Sequence, residues 1–114
     1  MDCLFCKIVE GAIPATKVFE DEHAVAFRDI SPEAPFHVLI IPKRHIAGLS
    51  DLRGHDDDKL LVGHLHAVAS DLAREHKLES GYRTVINTGK DAGQTVFHIH
   101  VHLLGGRAMS WPPG

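Results

Sequence analysis

Three histidines alternate with branched aliphatic residues in the run His98-Ile99-His100-Val101-His102. Side chains of a β-strand point to opposite faces in turn, so the pattern predicts three imidazoles in a row on one face, about 6.6 Å apart. The aliphatic residues between them, together with Leu103, then point into a core. Because imidazole near pH 7 can ligate metals, attack electrophiles and donate to anions, the run predicts a site for an anionic substrate or a metal.

Two simpler explanations exist for this run. A half-buried strand can carry histidine on its polar face without a function, and an affinity tag clusters histidines at a terminus. The internal position beside Gly93-Gln94-Thr95 and the alternation with β-forming residues disfavour both.

The composition bounds the class of protein. With 114 residues, 44% of them hydrophobic, and a net charge of −3, we expect one domain over residues 1–114 that folds without disulfides. The sequence has no run near the roughly 20 apolar residues of a membrane span and no secretory leader pattern, so we expect a soluble cytoplasmic protein. The mild acidity argues against binding of polymeric nucleic acid, so any nucleotide bound is small.

Local patterns predict an antiparallel α+β fold rather than a doubly wound one. A short helix is expected over residues 3–10, capped by Asp2 and ended by Gly11. A long helix is expected to begin at the aspartates of residues 56–58, which complement the helix dipole. Its buried stripe is formed by Leu61, Leu65, Val68 and Leu72, and leaves His64 and His66 exposed. The predicted strands cover residues 17–20, 24–28, 37–41, 82–88 and 95–104.

The two cysteines form the pair Cys3-Leu4-Phe5-Cys6. Such a pair is a redox couple, half of a metal site, or two small buried hydrophobic residues. Redox pairs usually open a helix after a strand in a thioredoxin-like fold, which the predicted elements do not form.

The chain resembles the histidine-triad superfamily, and within it the Hint branch of purine nucleoside phosphoramidases. The resemblance covers essentially the whole chain. It rests on the triad His98-Ile-His100-Val-His102-Leu-Leu together with Asp29-Ile30, Ala34-Pro35-Phe36-His37, Ile41-Pro42-Lys43-Arg44-His45, Asn87-Thr88-Gly89, Gly105-Gly106-Arg107 and Trp111-Pro112-Pro113-Gly114. It implies a HIT-like five-stranded antiparallel sheet with one long and one short helix, and a homodimer with one continuous ten-stranded sheet.

The implied activity is hydrolysis of the P–N bond of nucleoside 5′-phosphoramidates, with adenosine 5′-monophosphoramidate as the usual model substrate. This reaction needs a nucleophile, donors for the phosphoryl oxygens and a proton for the amine. Central in the triad, His100 is expected to attack phosphorus and carry the nucleotidyl group, with His102 as phosphoryl donor. Thr95, where the family has serine, is expected to reach the leaving group, and the resemblance makes His37 a supporting imidazole that relays a proton.

Nucleotide binding is expected at residues that match the family pattern. Asp29 is implied to accept hydrogen bonds from both ribose hydroxyls, because a carboxylate offers several lone pairs and no donor. Further phosphate donors are Asn87 and the backbone amides of Gly93 and Gln94, although Asn87-Thr88-Gly89 is equally explained by turn chemistry. An apolar slot for the base is implied around Phe5, Phe27, Ile30 and Leu39, a set that discriminates little between adenosine and guanosine.

A structural zinc ion is also implied by the resemblance. Some family members with the cysteine pair bind zinc, and the matching ligands here are Cys3, Cys6, His45 and His98. Four protein ligands close a tetrahedral shell, so the metal is expected to stabilise the fold and not to be required for catalysis.

Two other classes of function stay open on the sequence. One is a dinucleoside polyphosphate hydrolase of the Fhit type, against which the Trp-Pro-Pro-Gly tail argues. The other is a nucleotide-binding regulatory module with weak activity, which would need the base and ribose site but not the nucleophile.

Overall fold

A computed structural model describes residues 3–114, and the predicted cap Asp2 lies outside them. Two helices, α1 (Leu4–Val9) and α2 (Asp56–Glu75), accompany five strands. The strands are β1 (Lys17–Glu20), β2 (Ala24–Arg28), β3 (Phe36–Pro42), β4 (Tyr82–Val85) and β5 (Val101–Gly105). All strand pairs are antiparallel and the order in the sheet is β1-β2-β3-β5-β4, so the predicted antiparallel α+β fold is confirmed.

The two faces of the sheet are covered by different elements. Helix α2 packs on one face, where Leu65, Val68 and Leu72 meet the side chains of Val38 and Val101. Leu61, predicted to belong to the buried stripe of α2, is half-buried. The α1 face carries a smaller apolar cluster that includes Phe5, Ile8, Phe27, Leu39 and Ile41. Because residue 102 pairs with residue 39, the last two histidines of the triad belong to the α1 face.

Two features of helix α2 differ in detail from expectation. His66 is exposed as predicted, but His64 is half-buried because its Nε2 lies 2.6 Å from the Asp21 carboxylate. Asp58 in the first turn is buried and accepts a hydrogen bond from Arg44 at 2.6 Å, which is the main cause of the lowered pKa of its carboxyl. The residues 3–114 contain no helix that is long and apolar enough to cross a membrane.

The strand predicted over residues 95–104 was wrong in its first half. The ladder begins only at Val101, so His98 and His100 precede the strand and only His102 belongs to it. The segment diverges because the Ile99 amide donates to the Ile46 carbonyl at 2.6 Å, outside the sheet. Similarly, the strand predicted over residues 82–88 ends at Val85. The triad is therefore split between a strand and the loop that enters it.

Candidate active site and metal centre

A cavity of about 910 Å³ opens on the α1 face of the sheet. Such a volume lies in the range of small-molecule sites. Most of the residues predicted to bind a nucleotide line it: Phe5, Phe27, Asp29, Ile30, Leu39, Asn87, Gly93, Thr95, His100 and His102. The fold therefore brings together residues from both ends of the chain.

The inner wall of this cavity is apolar. Phe5, Phe27 and Leu39 are each at most 6% exposed, and the two phenylalanine rings meet edge to face with centroids 5.4 Å apart. Ile30, in contrast, is 98% exposed because the chain leaves the sheet after β2. Ile30 still lines the cavity, and its predicted contact with the base stays a prediction.

His100 presents one defined nitrogen to the cavity. Its Nδ1 lies 2.8 Å from the backbone carbonyl of His98, and because a carbonyl only accepts, Nδ1 carries the proton and Nε2 carries the lone pair. Burial lowers the pKa of His100, partly opposed by this hydrogen bond and by the charge of Asp29. At neutral pH the ring is thus an uncharged imidazole with a nucleophilic Nε2.

His102 has the opposite tautomer, set by a chain of hydrogen bonds. The Glu33 amide donates to His37 Nδ1 at 3.0 Å, so a neutral His37 carries its proton on Nε2, which lies 2.9 Å from His102 Nδ1. His102 Nδ1 must then accept, and its own proton lies on Nε2. Burial, followed by repulsion from His100 and His37, lowers the pKa of His102 to about 4. His102 is therefore a neutral donor.

Asp29 lies at the start of the loop between β2 and β3. Its Oδ1 accepts from the Ser31 amide at 2.8 Å, and its Oδ2 lies 3.5 Å from His37 Nε2. Its side chain is 17% exposed, so the carboxylate keeps lone pairs available toward the cavity.

The backbone amides predicted to bind phosphate are used elsewhere. Gly93 N–H donates to the Lys90 carbonyl and Gln94 N–H to the Gly89 carbonyl, at 3.0 and 3.1 Å, so this turn closes on itself. The Gln94 side chain is buried and joins two loops, donating to the Ala47 carbonyl at 2.8 Å and accepting from the Gly89 amide at 2.9 Å. In this conformation both amides are thus already paired within the turn, and their role toward a phosphate stays a prediction. Asn87 and Thr95 remain on the cavity wall.

A second cluster lies beside the cavity, where α1 meets the loop after β3. His98 Nδ1 is 3.3 Å from Cys3 Sγ and 3.5 Å from Cys6 Sγ, while His45 Nδ1 is 3.3 Å from Cys6 Sγ and 3.2 Å from His98 Nδ1. Ligands on a tetrahedral zinc ion stand about 3.3 Å apart for two nitrogens and about 3.8 Å apart for two sulfurs. The cluster matches a closed Cys2His2 shell.

The chemistry of these four side chains also fits zinc. His98 is fully buried, and its Nε2 donates to the Pro42 carbonyl at 2.8 Å, so its Nδ1 lone pair points at the two cysteines. Burial and the neighbouring Cys3 raise the pKa of the Cys6 thiol to about 11 in the metal-free chain. A divalent cation offsets that penalty, because it stabilises the thiolates that ligate it.

Sequence reasoning missed the backbone groups that set these tautomers. The carbonyls of Pro42 and His98 and the amide of Glu33 orient the histidine rings, yet every residue has such groups. The one available signal was proximity in sequence to the quoted motifs.

Comparisons with known proteins agree with this geometry. The HIT domain family model matches residues 10–109. A 14 kDa zinc-binding protein from Zea mays is 52% identical over 112 residues, covering 97% of this chain and 87% of the relative.

Solved structures are similar over nearly the full chain. A HIT family hydrolase from Legionella pneumophila has a TM-score of 0.95 and 56% identity, covering 99% of this chain and 100% of that one. A zinc-bound histidine triad family protein from Mycobacterium smegmatis has a TM-score of 0.81 and 39% identity, covering 94% of this chain and 76% of that one. A histidine triad nucleotide-binding protein from Candida albicans has a TM-score of 0.81 and 36% identity, covering 99% of this chain and 85% of that one. The chain therefore belongs to the HIT domain family and, with its Cys-x-x-Cys pair, fits the zinc-binding Hint branch.

Proposed function

We propose that this chain is a hydrolase that cleaves the P–N bond of purine nucleoside 5′-phosphoramidates through a nucleotidyl group on His100. The observation that carries the proposal is the pairing of opposite tautomers in one cavity: a lone pair on His100 Nε2 beside a proton on His102 Nε2. The similarity to a HIT family hydrolase and to a histidine triad nucleotide-binding protein supports the reaction class and the ligand class.

In the first step His100 Nε2 attacks phosphorus and forms an N–P bond while the substrate P–N bond breaks. The amine leaves with the electron pair of that bond and takes a proton, for which the Thr95 hydroxyl is the proposed donor and His37 the proposed relay. His102 Nε2–H donates to a phosphoryl oxygen, where charge develops in the transition state.

In the second step water attacks the same phosphorus and the bond to His100 breaks. Imidazole is a good leaving group once phosphorylated, and the electron pair returns to Nε2. The products are the nucleoside monophosphate and a regenerated neutral His100. The proton released by water restores the donor that protonated the amine.

The nucleoside half of the substrate is held upstream of the triad. In this proposal Asp29 accepts hydrogen bonds from the two ribose hydroxyls, and Phe5, Phe27 and Leu39 enclose the base. Asn87 and Thr95, which also line the cavity, are the proposed contacts of the phosphate.

The zinc centre supplies stability in this proposal, with Cys3, Cys6, His45 and His98 as its ligands. A closed four-ligand shell leaves no position for a substrate or water. The reaction steps therefore use the side chains of the cavity and not the metal.

We further propose that the chain forms a homodimer in which two copies of the edge strand β4 join the sheets. Strand β4 is at the edge of the sheet, and Trp111 is 84% exposed near the end of the chain. Unpaired edges and large exposed aromatic side chains are typical of surfaces that a partner covers. Sedimentation at micromolar concentration tests this, and a monomer would contradict it.

The experiment that tests the activity compares three substrates: a fluorogenic adenosine phosphoramidate, its guanosine counterpart and a diadenosine polyphosphate. We expect both phosphoramidates to be cleaved with kcat/KM well above that for the polyphosphate, and a His100→Ala variant to be inactive. Preferred cleavage of the polyphosphate would instead indicate the Fhit-type reaction. Nucleotide binding without turnover would indicate a regulatory module.

A further inference from the structure

Arg107 connects the end of strand β5 to the active-site loop of residues 31–35. Its Nε donates to the backbone carbonyl of Glu33 at 3.0 Å, and its Nη1 donates to the Ala108 carbonyl at 3.1 Å. Arg107 is exposed and is not one of the residues that line the cavity. The contact of this side chain with the active-site loop is its hydrogen bond to Glu33.

The turn that carries Arg107 is fitted closely against the same loop. Gly106 has φ +92°, and a Cβ at this position would lie 3.0 Å from Pro35 Cβ. This close approach packs the backbone of residue 106 against the loop, so the neighbouring Arg107 side chain starts from a well-defined backbone position.

Glu33 sets the tautomers of two of the histidines of the site, His37 and His102. Its amide donates to His37 Nδ1, which places the His37 proton on Nε2 and, through His37, the His102 proton on Nε2. The carbonyl of the same residue accepts from Arg107. The backbone of Glu33 is thus bonded to the Arg107 guanidinium through its carbonyl and to the His37 ring through its amide.

We propose that Arg107 is a positioning residue for the phosphoryl donor: by holding the Glu33 backbone it keeps the His37 tautomer that aims the His102 proton at the substrate. The inference rests on the proposed hydrolase function for its kinetic consequence, but not for its structural one. Without the anchor the Glu33 amide moves relative to His37, and a fraction of His37 adopts the other tautomer, in which His102 no longer receives a proton from it.

The first test compares Arg107→Gln with Arg74→Gln. Arg74 is also an exposed arginine with two hydrogen bonds, to Asp71 Oδ1 at 3.1 Å and to Ser70 Oγ at 3.4 Å, but both stay within helix α2 and neither reaches Glu33. We expect Arg107→Gln to lower kcat about fivefold with little change in KM, the effect of one lost hydrogen bond felt in the transition state. We expect Arg74→Gln to behave as the wild type and Arg107→Lys to recover part of the loss. Equal kinetics for the Arg107→Gln and Arg74→Gln variants would overturn the proposal.

The second test asks whether Arg107 acts through His37. In a double-mutant cycle with His37→Gln, the Arg107→Gln change should cost little further activity, whereas a general structural role would give additive losses. Nitrogen-15 spectra of the histidine rings, recorded without substrate, should show His37 Nδ1 losing its hydrogen-bonded state in Arg107→Gln but not in Arg74→Gln. Unchanged spectra would refute the positioning role even if the wild type cleaves phosphoramidates. If the wild type shows no turnover, only the proposed function fails, and the spectra still decide the role of Arg107.

Discussion

Two histidine clusters lie on the same side of the sheet, and both have the spacing of a metal site. The metal cluster consists of Cys3, Cys6, His45 and His98, and the reactive cluster of Asp29, His37, His100 and His102. In the metal cluster, and in the trio Asp29, His37 and His102, one ligand atom from each residue lies within 4.8 Å of the others. Spacing alone therefore does not separate the two clusters.

Hydrogen-bond direction separates them. In the metal cluster the Pro42 carbonyl takes the proton of His98 Nε2, so the Nδ1 lone pair converges with two sulfurs. In the reactive cluster the Glu33 amide occupies the Nδ1 lone pair of His37, so Nε2 carries a proton toward His102. A cation is attracted by converging lone pairs and repelled where a proton already points inward. A backbone carbonyl prepares one histidine for metal, and a backbone amide prepares another for proton transfer.

Replacing the nucleophile should have the largest effect on the reactive cluster. We expect His100→Ala to lower turnover by about 10⁴-fold or more, because no other group forms the covalent bond. The matched variant His102→Ala, which loses one phosphoryl donor, should cost about 10²–10³-fold. Rapid quenching followed by peptide mass spectrometry should find the nucleotidyl group on His100. An adduct on another residue would contradict the mechanism.

Removing the metal should have the next largest effect, which we expect to be a loss of folding stability. Elemental analysis is expected to give one zinc per chain, and Cys6→Ser or chelation should lower the free energy of unfolding by several kcal/mol. That loss is smaller than the roughly 10–16 kcal/mol of zinc-finger peptides, because this chain has its own core.

His37→Gln is the control that separates the clusters, since it should keep the zinc content at one per chain. A second zinc that disappears with His37 would show that the reactive cluster also binds metal. That result would break the distinction based on hydrogen-bond direction.

Neutralising Asp29 should weaken the substrate complex without unfolding the chain. Asp29→Asn keeps the size of the side chain but removes its charge and half of its acceptors, so we expect a loss of about 1–3 kcal/mol in transition-state binding, measured as kcat/KM. Equal turnover of a 2′,3′-dideoxy substrate and its ribonucleoside counterpart would show that Asp29 does not hold the ribose.

The smallest expected effect is the pH dependence of stability, which tests whether His102 of the reactive cluster is held neutral. The pKa of His102 is lowered from 6.5 to about 4 in the folded chain, so the unfolded state binds the proton more readily. Its contribution is complete above pH 6.5 and is lost as the pH falls toward 4. The shift corresponds to at most about 3.4 kcal/mol. Because the ring is only partly buried, we expect the wild type to lose about 1–2 kcal/mol of this over the interval, relative to His102→Gln, as measured by chemical unfolding. The zinc ligands are common to both proteins and cancel in the difference. A constant difference would contradict the lowered pKa.

The fold was predictable because its signals are local. Apolar spacing in residues 61–72 follows the helix period, and Gly11 ends α1 with φ +81°. The errors occur where a distant contact overrides local preference. Residues 95–100 alternate as a strand does, yet Ile99 pairs with Ile46 and His98 turns to the cysteines, so the ladder starts late.

The candidate site divides in the same way. The cavity-lining residues were predicted from motifs, because binding chemistry selects side-chain type. The exposure of Ile30 and the pairing of the Gly93 and Gln94 amides within their turn were not predictable, since both depend on how the loops close. The assignment of a role to each residue remains a prediction that the variants above test.

From the sequence alone came the antiparallel α+β class, the triad and the cysteine pair, because strand alternation, helix periodicity and ligand chemistry are written in residue types. Only the tertiary structure decided which nitrogen of each histidine carries the proton. That choice is made by the backbone carbonyls of Pro42 and His98 and by the backbone amide of Glu33. Every residue has such a carbonyl and every residue except proline has such an amide, so these groups become specific only when folding places them next to a ring.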